Sequence, residues 1–331
     1  MRNRKEISIR DIAAQAGVST ATVSRILNKK GGYSDETERL VMDIVKSSSY
    51  KVSEKNREKA VGILIQDIKN EWFANVAADL EEQLYRQGYS ACIHTTNEDA
   101  KKTLWYFEEC MRRRFAGIII VSPTKEIAQR AKGAKVPVIF IDRTPVQKED
   151  IVSIEYDHYL GGYMATEHLI RKGCRNIMFL GVEEDNPASR SRLHGYIDAL
   201  EEYHLPQSED LIVHLDDNYH LYDTAYQITY YLLKKKLNFD GIFATNDLRA
   251  FGALQALQQN GVKVPEEIKV IGFDDISLAR QCYPALTTIR QNTQELAKNT
   301  VQMLLRLILE PETVENRHVV IPVSLVERGT A

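Results

Sequence analysis

No stretch of this 331-residue chain is apolar for long enough to cross a bilayer as a helix. Its first residues, MRNRKEISIRD, lack the apolar segment of a secretory leader. Together these point to a cytoplasmic protein with no membrane partner. Cysteine is scarce: Cys92, Cys110, Cys174 and Cys282 lie far apart, without a Cys-x-x-Cys pair. That excludes a disulfide framework or a thiolate metal site and predicts reduced, mostly buried thiols. The eight histidines show no His-Glu-x-x-His or comparable spacing, so no metal is expected. No Gly-rich phosphate loop follows an apolar run, and no Ser/His/Asp nucleophile pattern is present. An enzyme reading therefore has no chemistry to rest on, and no cofactor is expected. What remains is an ordinary globular composition, 44% hydrophobic and 27% charged, in a chain too long for one core and suited to two or three domains.

The most informative segment is SIRDIAAQAGVSTATVSRILN, residues 8–28. Ser8 is placed as a helix N-cap with Asp11 three residues on, a capping-box spacing. Ile9, Ile12, Ala13 and Ala16 recur at helical spacing and form one apolar face. Gly17 supplies a turn whose left-handed backbone disfavours other residues. Ser19 caps a second helix that turns Val23, Ile26 and Leu27 inward and leaves Thr20, Ala21, Thr22, Ser24 and Arg25 on its leading and outer face. A third helix begins at Ser34 and is expected to bury Leu40, Val41, Ile44 and Val45. Three short helices with a glycine turn before the second describe a helix-turn-helix domain. Charge agrees: residues 1–60 carry 13 Lys/Arg against 8 Asp/Glu, a net of +5, whereas the rest carries 30 against 38, a net of −8. A basic head on an acidic body confines phosphate attraction to one domain.

YKVSEKNREK (50–59) reads as a polar linker, after which the pattern changes. VGILIQD (61–67), SACIHTT (90–96), GIIIVSP (117–123), VPVIFIDR (136–143) and IVSIEYD (151–157) are apolar runs of strand length, the first four separated by helical segments. NIMFLGV (176–182), DLIVHLD (210–216), GIFATND (241–247) and IKVIGFDD (268–275) repeat the alternation. LTTIRQN (286–292), a helix near 293–309 and HVVIPVSLVER (318–328) finish the chain. Strand–helix alternation of this kind predicts an α/β core of two doubly wound parallel-sheet subdomains, with a ligand cleft at the strand C-termini.

DIAAQAGVSTATVSRILN, IFIDR, GGYMATEHLIRKGCRNIMFLG, RLHGY, IFATNDLRAFGALQALQQNGVKVPEEIKVIGFDD and PALTTIRQ occur in the order in which bacterial repressors of the LacI/GalR family carry them. Over essentially its whole length the chain resembles that family. The resemblance implies a helix-turn-helix domain at 1–49, a hinge at 50–60 and an effector-binding, dimerising core at 61–331. Within the core it implies an N-subdomain of about 61–157 plus 292–318 and a C-subdomain of about 158–289 plus 319–331, akin to periplasmic binding proteins. It further implies a homodimer on a pseudo-palindromic operator. No leucine heptad tail follows VERGTA that would tether a tetramer.

Carried over position by position, the resemblance sets Thr20, Ala21 and Arg25 against base edges in the major groove. It sets Thr22, Ser24, Asn28 and Tyr33 against backbone phosphate, with the capping serines Ser8 and Ser19 in the same interface. The chemistry is consistent, since arginine reads guanine O6/N7 with a bidentate fork and hydroxyls suit phosphate oxygens. For Thr22, packing against the first helix is an equal alternative. The hinge departs from the family, which usually carries Pro-Asn and then a leucine that wedges into the minor groove. Here Val52 and Ser53 stand at the Pro-Asn positions and Lys59 near the leucine. Leucine intercalation is not expected; either Lys55, Arg57 and Lys59 approach the minor groove electrostatically, or the operator is bent little.

In the core, Asn70, Trp72 and Phe73 follow the first strand, Asp142 and Arg143 the fourth, Arg192 lies in RLHGY, Asn246 follows GIFAT, Asp274 follows IGF, and Gln291 ends IRQ. Carboxylates, guanidinium and amides hold vicinal hydroxyls in pairs, and aromatic rings cover C–H faces. The set is similar to the ligand residues of ribose-binding proteins, which implies a pentose or hexose effector of ribose or fructose/sucrose type. Bland alternatives are a surface ion pair for Asp142–Arg143 and a helix cap for Asp274 or Asp275. Glu71 and Trp72 replace the family's usual Pro and Phe. Tyr219 or Tyr222 is expected to add a stacking ring, and YQITYYLLKKK (226–236) reads as a packed helix face. The rival functions are a purine- or phosphoprotein-controlled regulator of the same fold and a transport-type sugar-binding protein.

Overall fold

A computed structural model of the chain describes residues 8–27, 31–47, 58–143, 151–182, 186–215, 221–311 and 316–331. It divides into two compact units, Met1–Arg57 and Glu58–Ala331.

In the first unit, α1 (Ile9–Ala16) starts on a complete capping box: the Ser8 amide donates to Asp11 Oδ2 at 2.8 Å and the Asp11 amide to Ser8 Oγ at 3.3 Å. Gly17 closes the helix with φ +65°, the left-handed conformation anticipated for it. Ser19 Oγ accepts the Thr22 amide at 3.0 Å and starts α2 (Thr20–Leu27). Ser34 does the same for α3 (Asp35–Ser47), accepting from the Thr37 amide at 3.3 Å. Ile12, Ala13, Ala16, Val23, Ile26, Val41 and Val45 form the interior. Leu40 does not join it. At 49% exposed it lies one residue, about 100° of helix, away from the Val41–Val45 stripe that faces inward.

The second unit contains two six-stranded sheets. The first comprises β1 (Glu58–Ile65), β2 (Ser90–Thr95), β3 (Phe115–Val121), β4 (Val138–Asp142), β5 (Val152–Tyr156) and β11 (His318–Ile321). They are ordered β11-β5-β4-β3-β1-β2 and all parallel. The second comprises β6 (Ile177–Val182), β7 (Ile212–Leu215), β8 (Gly241–Ala244), β9 (Lys269–Asp274), β10 (Thr287–Arg290) and β12 (Ser324–Val326). Its order is β12-β10-β9-β8-β6-β7, with only β12 antiparallel to its neighbour.

Alternation along the strands splits the first sheet's core between two faces. Val61, Ile63 and Ile65 pack with Val76, Leu80 and Leu84 of α4 (Glu71–Arg86) and Leu304 of α12 (Thr293–Leu309). Leu64, Ile118 and Ile120 meet Phe107 of α5 (Ala100–Arg112) and Ile127 of α6 (Lys125–Ala131) on the other. The second sheet is covered by α7 (His158–Arg171), α8 (Pro187–Glu202), α9 (Leu221–Lys234) and α10 (Asp247–Gln259), with the short α11 (Ser277–Gln281) after β9.

Two expectations need correction. β1 begins at Glu58, so Lys59 belongs to the first strand of the core, where its carbonyl accepts from Ser90 Oγ at 3.2 Å, and not to a hinge. HVVIPVSLVER is not continuous either. Around Pro322, which cannot donate to a ladder, it breaks into β11 in one sheet and β12 in the other, so the change of subdomain falls at 322–323 rather than after 318.

α7 and α8 approach until their backbones touch. A Cβ on Gly195 would stand 2.1 Å from the Tyr159 carbonyl oxygen, and one on Gly162 2.1 Å from that of Arg192. Gly195→Ala must therefore push the helices apart. A loss of about 3 kcal/mol, the upper end for overpacking, is expected as a lower urea midpoint for the core. An unchanged midpoint would mean that the pair is free to slide.

Candidate ligand cleft and nucleic-acid face

On the first unit, Ser8, Ser19, Thr20, Ala21 and Arg25 are exposed, and Thr22 and Ser24 are half-buried on α2. The Thr22 hydroxyl meets Ser19 Oγ at 2.9 Å. Tyr33 is half-buried against the headpiece core. Asn28, Lys55 and Arg57 lie outside the described residues.

In the second unit, all nine residues expected at a ligand surround one cavity of about 560 Å³: Asn70, Trp72, Phe73, Asp142, Arg143, Arg192, Asn246, Asp274 and Gln291. Each stands at the C-terminal end of a strand or at the first turns of the following helix, where parallel α/β sheets open. Asn70 and Asn246 cap α4 and α10: their Oδ1 atoms accept the Trp72 and Arg249 amides at 3.0 and 2.8 Å. Each side chain's NH2 stays available as a donor, and both residues line the cavity. Trp72 and Phe73 meet edge-to-face with ring centres 4.9 Å apart and give the cavity an aromatic wall.

Arg192 is the centre of the polar wall. Its guanidinium lies 3.6 Å above the Phe273 ring, donates to the Thr245 carbonyl, and donates to His158 Nδ1 at 3.1 Å. Arginine has no acceptor, so Nδ1 must accept. The ring proton then sits on Nε2, which donates to the Asp142 carbonyl oxygen at 3.0 Å. Burial by itself would raise the Asp142 carboxyl, but His158, whose Nε2 also lies 3.6 Å from Oδ1, acts on it by hydrogen bond and charge, and with the Ser122 hydroxyl and the field of Arg143 holds it below the usual range. Asp274 goes the other way. Burial, reinforced by the Asp142 charge, pushes its carboxyl up to about 7, against the lowering effects of Arg192, Gln291 and Arg249. Gln291 Nε2 donates to Asp274 Oδ1 at 2.6 Å. Among the described residues, Arg192 Nε, Gln291 Oε1 and Trp72 Nε1 are buried without a hydrogen-bond partner. Buried polar atoms are rarely left so unless something else completes them.

Two of the cavity's carboxylates sit on strained backbone, Asp142 at φ +78° and Asp274 at φ +120°. Such strain persists where the surroundings impose it, commonly at binding sites. Behind Asp274, the fully buried Asp247 holds the turn after β9. Its Oδ2 accepts the Ile276 amide at 2.9 Å and its Oδ1 the Thr288 hydroxyl at 2.6 Å. Burial and the Asp274 charge raise the Asp247 carboxyl well above its ordinary value.

The bland alternatives fail at two points. Arg143 donates to the Ser122 carbonyl at 3.4 Å and does not form an ion pair with Asp142, and the N-cap position of α11 is Ile276, with no side-chain cap bond from Asp274 or Asp275. Asp275 instead pairs with Arg290 at 2.6 Å and Arg328 at 2.5 Å. Of the two tyrosines expected to stack, Tyr222 does not do so. Tyr222 donates to Gln255 at 2.5 Å, Leu221 lines the cavity, and Tyr219 lies outside the described residues. The helix face 226–236 is only half packed: Tyr230 and Tyr231 are exposed beneath Lys234 and Lys235. Sequence reasoning passed over Gln66, Ser122 and Thr245, each the first polar residue after an apolar strand, and His158.

A family description of bacterial regulatory proteins, lacI family, matches residues 8–60, and one of a periplasmic binding protein-like domain matches residues 166–331. The ribose operon repressor of Halalkalibacterium halodurans is 31% identical across 98% of this chain and 96% of its own length. The transcriptional repressor PurR of Vibrio parahaemolyticus is 32% identical across 92% and 93%. Among solved structures, a LacI-type regulator from Alkaliphilus metalliredigens complexed with D-xylulofuranose is 30% identical, covers 83% of this chain and 99% of its own, and superposes with a TM-score of 0.73. No described helix is long and apolar enough to cross a membrane. With relatives of this identity matched from end to end, the chain belongs to the LacI family of bacterial transcription regulators.

Proposed function

We propose that this repressor controls carbohydrate-utilisation genes in the cytoplasm, binding a pseudo-palindromic operator as a homodimer and responding to a pentose or hexose held in the cleft. The observation that carries the reading is the cavity's inventory. Carboxylates (Asp67, Glu98, Asp142, Asp274), guanidinium groups (Arg143, Arg192, Arg249) and the amides of Asn70, Asn246 and Gln291 line it together with an aromatic wall, which is what a polyhydroxylated ring requires. Its kinship with a ribose operon repressor and with a regulator holding D-xylulofuranose supports the same class. PurR relatives and the Trp72–Phe73 wall favour a purine as the second reading. A thermal-shift screen of D-ribose, D-xylulose, D-fructose, sucrose, hypoxanthine and guanine separates the two. A ligand at ~100 times its dissociation constant adds about 2.7 kcal/mol, and a shift with the bases alone overturns the sugar assignment.

On the DNA side, Arg25 is the base reader and Thr20 and Ala21 its neighbours, while Thr22, Ser24, Asn28 and Tyr33 hold phosphate. Arg25→Ala should remove about 1–3 kcal/mol of preference for operator over random duplex while sparing much of the low-salt affinity. Gel-shift titrations on both duplexes measure it. Equal loss on the two would assign Arg25 to phosphate.

A further inference from the structure

Glu71 and Ser277 are 206 residues apart in the chain and touch. Glu71 is the first residue of α4, after the first sheet's β1, and Ser277 the first of α11, after the second sheet's β9. The Ser277 amide donates to Glu71 Oε1 at 2.7 Å and the Ser277 hydroxyl to Oε2 at 2.9 Å. Both carboxylate oxygens of one lobe are thus engaged by one residue of the other, in charge-assisted bonds, the stronger kind. The contact does not run through the chain crossings between the lobes; it joins two walls of the cleft. On one side Glu71 is flanked by Asn70 and Trp72, and on the other Ser277 lies three residues beyond Asp274.

A helix-starting glutamate needs no such partner, because the α4 dipole and solvent would satisfy it. We propose that Glu71 and Ser277 form a clasp that holds the two lobes closed before any ligand arrives, making Glu71 a positioning residue for the cleft. The proposal rests on the reading of the cavity as an effector site only in what the clasp is for; the clasp itself is a contact between the lobes made by protein groups alone. Closed lobes keep the Trp72 wall of one facing the Asp274–Gln291 pair of the other, so a ligand held between them must open the clasp to leave. Preorganisation of this kind strengthens binding chiefly by slowing release. Because ligand and clasp favour the same lobe arrangement, losing the clasp should shift the ligand-free regulator's operator affinity in the direction opposite to that produced by its ligand.

The chain's two tryptophans provide a test that needs no ligand. Trp105 is exposed and Trp72 buried beside Glu71, so full-length Trp105→Phe protein leaves Trp72 as the sole reporter. In that background, Glu71→Ala should raise acrylamide quenching of Trp72 at least threefold. Glu71→Gln, which keeps one acceptor for the Ser277 amide, should lie between, and Ser277→Ala should act as mildly as Glu71→Gln. Circular dichroism verifies folding. Should Glu71→Ala fail to fold, the Glu71→Gln and Ser277→Ala pair decides. Trp72 quenching within 20% of the parent in the folded variants overturns the clasp. Stopped-flow dissociation of D-ribose, D-xylulose and D-fructose is then compared, with about tenfold faster release expected from Glu71→Ala for any sugar the parent binds. Unchanged release of a bound sugar also overturns the proposal. Failure of the parent to bind all three, with Trp72 exposed by Glu71→Ala, counts against the effector reading and leaves the clasp standing.

Discussion

Replacing Arg192 with methionine should abolish the ligand response while leaving operator binding intact. Methionine retains an unbranched stem to lie on Phe273 but loses the donors to Thr245 and His158 and the unpartnered Nε. Truncating one member of a buried charged network costs about 2–5 kcal/mol, so ligand affinity should fall at least ~30-fold. The effect has a second source. Without the guanidinium, the strongest influence holding the Asp274 carboxyl down is gone, and a protonated Asp274 accepts a ligand hydroxyl poorly. Calorimetry with the sugar identified by thermal shift measures the loss, and gel shift without sugar measures retained operator binding. Affinity within threefold of the parent would place the ligand elsewhere.

The second large effect is on pH. Burial pushes the Asp274 carboxyl up to about 7, and a sugar hydroxyl donates best to the ionised form. Ligand affinity should therefore rise with pH through 7. Below it, each pH unit should cost up to tenfold, about 1.4 kcal/mol. Stability runs the opposite way. An acid raised on folding is protonated in the native state while already ionised in the unfolded chain above the ordinary carboxyl range. The native state then binds more protons, and this group's contribution declines as pH rises from about 4 to 7. Asp274→Asn should flatten both profiles. Calorimetry between pH 5.5 and 8, in buffers of different ionisation enthalpy, should find close to one proton released per ligand bound near pH 6. A flat affinity profile in the parent would mean that Asp274 is ionised throughout.

What the sequence disclosed and what it hid follow from the range of the forces involved. Ser8, Asp11 and Gly17 act within one helical turn, and their roles were legible from spacing. The cavity set was legible for a different reason. Residues such as Asp142, Asn246 and Asp274 end apolar runs, and in a parallel sheet every such position arrives at the same edge. Sites whose partners are remote in sequence were not legible. Tyr222 could face the cavity or turn to Gln255, and nothing local decides between them. His158 reads as an ordinary helix-start residue until Arg192 is brought to its Nδ1, and Glu71 reads as a first-turn acid until Ser277 meets it. The break at Pro322 was visible as a proline. The neighbouring apolar residues suggested one strand because periodicity does not record which sheet a segment joins.

The chain passes between the lobes three times, after β5, after β10 and between β11 and β12. These passages are neighbours. The Asp157 amide bonds the Ile321 carbonyl at 3.0 Å, and Arg290 is paired across the ladder with Ser324. Three short straps abreast act as a door's hinge. They resist sliding and twisting of one lobe on the other and leave rotation about the line of the straps as the soft motion. Whatever the cleft holds can then be reported only as an angle. A small tightening around Arg192 and Asp274 becomes a larger swing at the lobes' far ends, in proportion to their distance from that axis.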